Sequence, residues 1–488
     1  MKYLDLIEEN KDLQLETLQE LVSIRSVKES PVTTKEGEVY PFGEGIQKSF
    51  EFILKKAEEM GFTTENVDNY GGHIDYGYGE ETVGIIGHLD VVTEGDGWAF
   101  DPYSGAVSNG YIYGRGTTDD KGPVVAALFA MKALKDSGYE PARKVRLILG
   151  LDEETDWEGM DYYFSKVKRP DFGFTPDADF PAINGEKGIC NFHIVKKLEK
   201  NQNKGLELTR LSGGAAKNIV AERARAVVRA EDKERYALIR TQAENFRKEK
   251  GLSLHVKGVG KSLEITAEGK AAHGATPEKG LNAISILMEF LGGMNFSNDD
   301  VNSFVEFYNK YLGYMVNGEG FGVDFSDDKS GKLTLNVGII ELDKEAITIE
   351  INLRYPISYD GEQVYEKITP VIDQYDLGLV KVSEDKPIYM DPESPMVKTM
   401  VDSYVKFTGD TVNKPKVIGG ATYAKASPNI LGFGAQFRDD EDLMHQCNER
   451  LSLERFYLAT KIYAQTIYDL TQPDFKFKPD DTLADTER

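Results

Sequence analysis

Gly114-Arg115-Gly116-Thr117-Thr118-Asp119-Asp120-Lys121-Gly122 is the stretch on which the reading of this chain turns. It places two adjacent carboxylates, Asp119 and Asp120, in a glycine-bounded turn after the strand-like Gly110-Tyr-Ile-Tyr113. The apolar run Pro123–Met131 follows at once and predicts a buried helix. Carboxylates at the start of a helix are held in place close to backbone N–H groups. Taken alone, the stretch reads equally well as a turn that ends in an aspartate N-cap. The surrounding sequence separates the two readings. His88-Leu-Asp90 follows the apolar strand Val83–Gly87, and Glu153-Glu154 follows a second strand, Lys144–Leu151. Pro176-Asp177 and His445 lie further on.

Strand, helix and strand over 83–151 predict a parallel α/β sheet. Ligands of such sheets bind at the carboxyl ends of the strands, where His88, Asp90, Glu153 and Glu154 fall. Helices are expected over Leu13–Ile24 and Phe42–Met60, the latter closed by Gly61. From Ile189 to about Glu384 the texture changes to alternating strands with interspersed helices, an α+β insert. The strands expected are Leu206–Leu211, Ala221–Arg229, Leu263–Glu268, Leu333–Leu342, Ile347–Arg354 and Leu379–Val382. Two similar halves are one arrangement open to this insert, although no clear repeat marks them. Pro395–Phe407 and Leu453–Leu470 then read as helices of a return to the first domain, and residues 472–488 as a polar, loosely attached tail.

Composition narrows the class. The 488 residues exceed what one ordinary core organises, so two or more domains are expected. Acidic residues (82) outnumber basic ones (58), for a net charge of −24, which argues against a nucleic-acid or anionic-membrane surface. The same balance fits a cytoplasmic protein. The two cysteines, Cys190 and Cys447, provide neither a disulfide framework nor a thiolate zinc motif. No apolar run is long enough to span a bilayer, and no signal segment is expected at the start. The glycines from Gly110 to Gly116 lack the Gly-Lys-Ser/Thr ending of a phosphate loop.

His88, Asp119, Glu154, Asp177 and His445 supply two imidazoles and three carboxylates. That donor set suits zinc, manganese or cobalt. Five ligands are too many for one tetrahedral ion but suit two ions that share one carboxylate, an arrangement that activates water for hydrolysis. Glu153, beside Glu154, is the candidate base for that water. Asp90, two residues from His88 along a strand, points to the same side and is the candidate acceptor for the ring N–H.

The segments Gly87-His-Leu-Asp-Val-Val92, Gly114–Gly122, Asp152-Glu-Glu-Thr155 and His273-Gly-Ala-Thr-Pro-Glu-Lys-Gly-Leu-Asn-Ala283 resemble the co-catalytic metallopeptidase family. That family contains glutamate carboxypeptidases, desuccinylases, aminoacylases and carnosinases. The match is nearest to its bacterial dipeptidase V and Xaa-His dipeptidase-like branch, and it runs in order along nearly the whole chain. The resemblance implies an α/β catalytic domain with a mostly parallel central sheet, interrupted by an α+β lid. The domains expected are 1–187 and 387–471 (catalytic), 188–386 (lid) and 472–488 (tail).

The resemblance also implies roles. Asp119 bridges two metals, with a cis peptide bond after it. His88 and Asp177 complete one metal site, and Glu154 and His445 the other. Glu153 is the general base and Asp90 orients. His273, in the lid, donates to the oxyanion. Asn218, Arg354 and Gly420 meet the substrate, the Arg354 guanidinium pairing with a free C-terminal carboxylate. Zinc is the metal expected first, with manganese or cobalt as alternatives. A doubled lid suits a monomer, a dimer being the other arrangement. The activity implied is hydrolysis of short unblocked dipeptides, Xaa-His or broader. The alternatives are a deacylase or desuccinylase of N-acyl amino acids, which shares the metal motifs, and a catalytically silent metal-binding scaffold, which would have lost a ligand or the base.

Overall fold

The computed structural model describes residues 2–199, 204–230 and 232–477. Among these the chain falls into two compact units, 2–185 with Ile388–Val417 and 421–477, and the described part of Glu186–Pro387 with Ile418–Gly420. The short piece Ile418–Gly420 thus groups with the second unit, although its neighbours on both sides belong to the first.

The first unit is built on a mixed sheet. Among the described residues its nine strands include β1 (Thr63–Val67), β2 (Gly71–Tyr76), β3 (Thr82–His88), β4 (Lys144–Gly150), β5 (Phe172–Thr175) and β6 (Ile183–Glu186), joined by Ile430–Gly432 from the return segment, with Ile388–Tyr389 and Lys416–Ile418 both pairing with β6. Four neighbours run parallel, in the order β4, β3, β5 and Ile430–Gly432. Antiparallel strands flank them: β2 and β1 beyond β4, and β6 beyond Ile430–Gly432. Val83, Ile85, Ile86 on β3 and Leu147, Ile148, Leu149 on β4 are fully buried, which is why these strands read as continuous apolar runs rather than alternations. Helix α1 (Lys121–Asp136) is buried almost all round and packs against the final helix, Leu453–Leu470. A Cβ at Gly122 would lie 2.1 Å from the Thr117 carbonyl oxygen, so the fold-back of the loop onto the start of α1 requires glycine there.

The second unit carries one eight-stranded antiparallel sheet. In chain order its strands are β7 (Gly188–Lys197), β8 (Glu207–Gly213), β9 (Arg223–Arg229), β10 (Ser253–Val259), β11 (Ser262–Glu268), β12 (Thr334–Leu342), β13 (Ala346–Tyr355) and β14 (Gly378–Asp385). Their spatial order is β10-β11-β9-β8-β12-β13-β7-β14. The order is two four-strand halves meeting at β8 and β12. Each half has a hairpin (β8–β9, β12–β13) followed by a helix, α2 (Lys233–Lys250) or α3 (Gly361–Asp373). β7 takes in one half the place that β11 takes in the other, but enters from the opposite end of the segment, which leaves no linear repeat in the sequence. Two strands, β7 and β10, had no boundaries from the sequence. β10 is an edge strand with mostly exposed side chains, where the apolar pattern is weakest.

The start of the tail departs from expectation. Arg143 donates to the carbonyl oxygens of Gln472 (2.7 Å) and Phe475 (2.9 Å). The rings of Phe475 and Phe477 pack on buried Phe172, with centroids 5.5 and 4.6 Å away. Two phenylalanines in a polar context hold residues 472–477 against the first unit. Residues 478–488 of the expected tail lie outside the described residues.

Candidate active site and metal centre

The carboxyl ends of β4, β3 and β5 lie side by side, because β3 pairs in parallel with both neighbours and His88 is level with Gly150. Topology therefore collects His88, the Glu153-Glu154 turn and Asp177 at one edge of the sheet. The loop before α1 adds Asp119. The return segment adds His445, whose backbone has a φ of +62°, a left-handed conformation uncommon outside glycine.

Asp119 stands between the two imidazoles. Its Oδ1 lies 3.0 Å from His88 Nε2 and its Oδ2 3.0 Å from His445 Nε2. His445 Nε2 is also 3.0 Å from Glu154 Oε1, and His88 Nε2 is 3.8 Å from Asp177 Oδ2. Two triads result, His88–Glu153–Asp177 and Asp119–Glu154–His445, with the donor atoms of each within 4.8 Å of one another. The first includes Glu153, which the sequence reading assigns to the proton rather than to a metal. His88 is fully buried, Asp119 and Glu154 nearly so, and the His445 side chain is 54% exposed. The site thus opens on the His445 side. The peptide bond between Asp119 and Asp120 is cis.

Asp90 has more to do than the orientation expected of it. Its carboxylate accepts the backbone N–H of Glu153 on one oxygen and of Glu154 on the other, both at 3.0 Å. His88 Nδ1 lies 2.9 Å from the Asp90 carbonyl oxygen and 3.4 Å from the carboxylate. A carbonyl only accepts, so Nδ1 carries a ring proton, and Nε2 is the ring nitrogen that faces the carboxylates of the cluster. Asp120 occupies the N-cap position of α1 but makes no side-chain cap bond; its Oδ2 accepts the His88 backbone N–H at 3.1 Å. The alternative reading of the decisive stretch thus holds for the position of Asp120 and not for its side chain, which bonds to the neighbouring strand instead of capping the helix.

The charges of the cluster do not balance by themselves. Burial and then Asp119 raise Asp177 and Glu154 to about 7. Burial likewise drives Glu153 well above the usual carboxylate range, with the neighbouring Asp177 and Glu154 adding to it. Hydrogen bonds to Asp119 and Glu154 push His445 up to about 11. Oxygen and imidazole donors converge, thiolates are absent from both triads, and negative charge exceeds positive. These residues fit one or two divalent cations of borderline hardness.

The second unit assembles its own polar cluster. Gly274 N donates to the Asn218 carbonyl (2.7 Å), so His273 and Asn218 sit on paired loop segments. His273 Nδ1 accepts from the Ala275 N–H at 3.3 Å, which places the proton of the neutral ring on Nε2. A Cβ on Gly419 would be 3.1 Å from the Ala275 Cβ, so the Gly419-Gly420 segment adjoins the same loop. Arg354 is buried; its Nε donates to Asn352 Oδ1 at 3.0 Å and its Nη1 to the Gly419 carbonyl. Burial lowers its pKa to about 10 against the raising influence of Glu186 and Asp385.

Sequence reasoning missed several residues here. Asn336, Asn352 and Asn191 form a cross-strand row continued by Ser383. Asn352 Nδ2 donates to Asn191 Oδ1 (2.8 Å), and Asn191 Nδ2 to Ser383 Oγ (2.9 Å). Asn336 Nδ2 holds the carbonyls of Lys217 and Ile219, on either side of Asn218, at 2.9 and 3.0 Å. In the first unit Tyr423 is fully buried, its ring edge-on to His88 and its hydroxyl 3.4 Å from Asp152 Oδ1. Glu449, also missed, accepts several N–H groups of the Asp119 loop. A carboxylate four residues after His445 was the one available signal for it.

The model of peptidase family M20/M25/M40 matches residues 84–469. A Staphylococcus epidermidis chain named "Putative dipeptidase" is 38% identical over 469 residues, 96% of this chain and 98% of that one. A Staphylococcus haemolyticus chain of the same description is 38% identical over 472 residues, 95% and 98% of the two chains. Among solved structures, the Saccharomyces cerevisiae di-peptidase Dug1p superposes with a TM-score of 0.57 at 13% identity, covering 97% of this chain and 99% of that one. Human carnosine dipeptidase 1 does so with 0.53 at 16% identity, covering 96% and 99%. At such identities the structural likeness speaks for the fold alone; the sequence match extends from β3 through the final helix and takes in every residue of both triads. On that match the chain belongs to peptidase family M20/M25/M40, and it is a hydrolase.

Proposed function

We infer that the protein is a metal-dependent dipeptidase that cleaves short dipeptides with both ends free. The observation that carries the reading is Asp119, one oxygen turned to each histidine, at the centre of a cluster with too little positive charge of its own. His88 and Asp177 would hold one divalent ion, Glu154 and His445 a second, and Asp119 both; zinc suits the donors, as do manganese and cobalt. Ions held there would polarise the scissile carbonyl and lower the pKa of water.

This chain's own residues do the rest. Glu153 takes the proton of the attacking water and delivers it to the leaving amine. Its backbone is held by Asp90, which also fixes the turn carrying Glu154. His273 donates from Nε2 to the oxyanion that forms on the carbonyl. Arg354, whose hydrogen bonds run to neutral groups, takes the free C-terminal carboxylate, with Asn218 and the Gly420 backbone N–H as further substrate contacts. A monomer in the cytoplasm suits this reading. The deacylase alternative shares the metal residues and also presents a free carboxylate to Arg354, so the choice between the two falls to the substrate series below; the silent scaffold has neither a missing ligand nor a missing base to support it.

The test is amino-acid release from a free dipeptide, its N-acetylated form and a tripeptide, each with zinc, with manganese and with a chelator. Metal-dependent cleavage of the free dipeptide alone is expected. Preference for the acetylated compound would move the chain to the deacylases.

A further inference from the structure

The two metal triads are framed differently. His88 ends a sheet strand, and Glu153 and Asp177 follow the ends of its two parallel neighbours. Asp119 and His445 stand on two loops 326 positions apart in the numbering. What joins those loops is Glu449. Its side chain is wholly buried. Oε1 accepts from Thr118 N (2.8 Å), Thr118 Oγ1 (2.9 Å) and Asp119 N (3.4 Å). Oε2 accepts from Gly116 N (3.0 Å) and from Arg115 Nη1 (2.8 Å). The Glu449 carbonyl accepts from Gly114 N at 3.0 Å. Beyond it, Arg450–Ser452 pairs antiparallel with Tyr111–Tyr113, Arg450 opposite Tyr113. One residue therefore takes hydrogen bonds from five of the six residues Gly114–Asp119, while His445 is carried four positions upstream of it. The intervening Asn448, like His445, has a φ of +62° and is pinned through its Oδ1 by the Ala99 N–H at 2.6 Å. Left-handed residues other than glycine persist where their surroundings leave them no alternative.

We propose that Glu449 is a positioning residue that sets Asp119 against His445, so that the two metal subsites depend on it unequally. The Asp119–Glu154–His445 subsite relies on it through two ligands, the His88–Asp177 subsite through Asp119 alone. Glutamine cannot replace it. Every named contact of the Glu449 carboxylate comes from a donor, and a glutamine NH2 would meet Arg115 and Gly116, or Thr118, donor against donor. Outer hydrogen-bond partners of metal ligands are worth about 10- to 100-fold in affinity.

The inference rests on the two-metal reading, and a titration of the metal-free full chain with zinc alone separates the two. The unaltered chain is expected to bind two equivalents; fewer would sink the two-metal reading itself. In Glu449→Gln one equivalent is expected to weaken about 10- to 100-fold and the other by no more than about 3-fold. Thermal unfolding in chelator reports whether the variant is folded. If it is not, Thr118→Val, which removes only the hydroxyl donor, serves in its place, with a smaller shift confined to the same equivalent. Two equivalents unchanged in a folded variant, or both weakened alike, would overturn the unequal dependence.

Discussion

The polar cluster of the first unit and that of the second are both largely buried, yet they are satisfied in opposite ways. Around Asp119, carboxylates outnumber imidazoles, and burial raises Glu153, Glu154 and Asp177. That cluster fits divalent cations. Arg354 donates to the neutral Asn352 side chain and Gly419 carbonyl, and Asn352 is held in turn by Asn191 and, through it, the Ser383 hydroxyl. That cluster is internally hydrogen-bonded and carries a guanidinium whose hydrogen bonds run to Asn352 and the Gly419 carbonyl, with Glu186 and Asp385 as the charged groups acting on it; on the proposed function a substrate carboxylate joins it there. On the proposed function, the first cluster carries the chemistry and the second the recognition of a charged substrate end. Losses in the first should appear in turnover and metal content, losses in the second in the Michaelis constant.

The sharpest way to break this division is Glu153→Gln. Turnover is expected to fall by about 10³-fold with zinc content unchanged; activity near that of the unaltered chain would remove Glu153 from the proton's path. Arg354→Ala is expected to raise KM for free dipeptides by about 10- to 100-fold, with a smaller change in kcat, as the loss of a charge-assisted pair implies. Dipeptides with an amidated C-terminus should be indifferent to the change, and an equal effect on both would contradict the recognition role. Asn352→Leu removes the acceptor of Arg354 Nε and leaves the guanidinium in place, so a rise in KM of about 3- to 10-fold is expected from the lost positioning bond.

A pH series tests the charge imbalance. Folding raises Glu154 and Asp177 to about 7, from ordinary carboxylate values near 4 in the unfolded chain. The metal-free folded state therefore holds extra protons between those values, and its stability is expected to fall as pH rises through that window. Zinc should reverse the trend, because it takes the place of those protons and binds more tightly as they leave. Thermal unfolding from pH 4 to 7, with and without zinc, measures both slopes; a metal-free stability that rises across the window would contradict the imbalance.

The two clusters also differ in how far they could be read beforehand. His88, Asp90, Glu153 and Glu154 were legible because an apolar strand announces its own end, and side-chain type there is informative. Asp177 and His445 entered the donor set by residue type, and the family resemblance was needed only to allot each to an ion; the left-handed backbone at His445 has no sequence signature. Asn336, Asn352 and Asn191 were invisible for a different reason: they meet only through the register of three strands, one of them starting some 140 residues before the next. Glu449 reads as an ordinary surface residue between Asn448 and Arg450 until the pairing of Arg450 with Tyr113 buries it. The start of the tail, 472–477, was misread because the polar composition of 472–488 conceals Phe475 and Phe477.

The central claim is that Asp119 is shared by two ions on which peptide hydrolysis depends. The direct measurement follows bound zinc per chain and free-dipeptide cleavage in one titration, on the unaltered chain and on Asp119→Ala. Two ions per chain are expected, with cleavage abolished by chelator, and Asp119→Ala should lose tight binding of both. A variant that keeps one ion at full affinity, or cleavage that survives chelation, would contradict it.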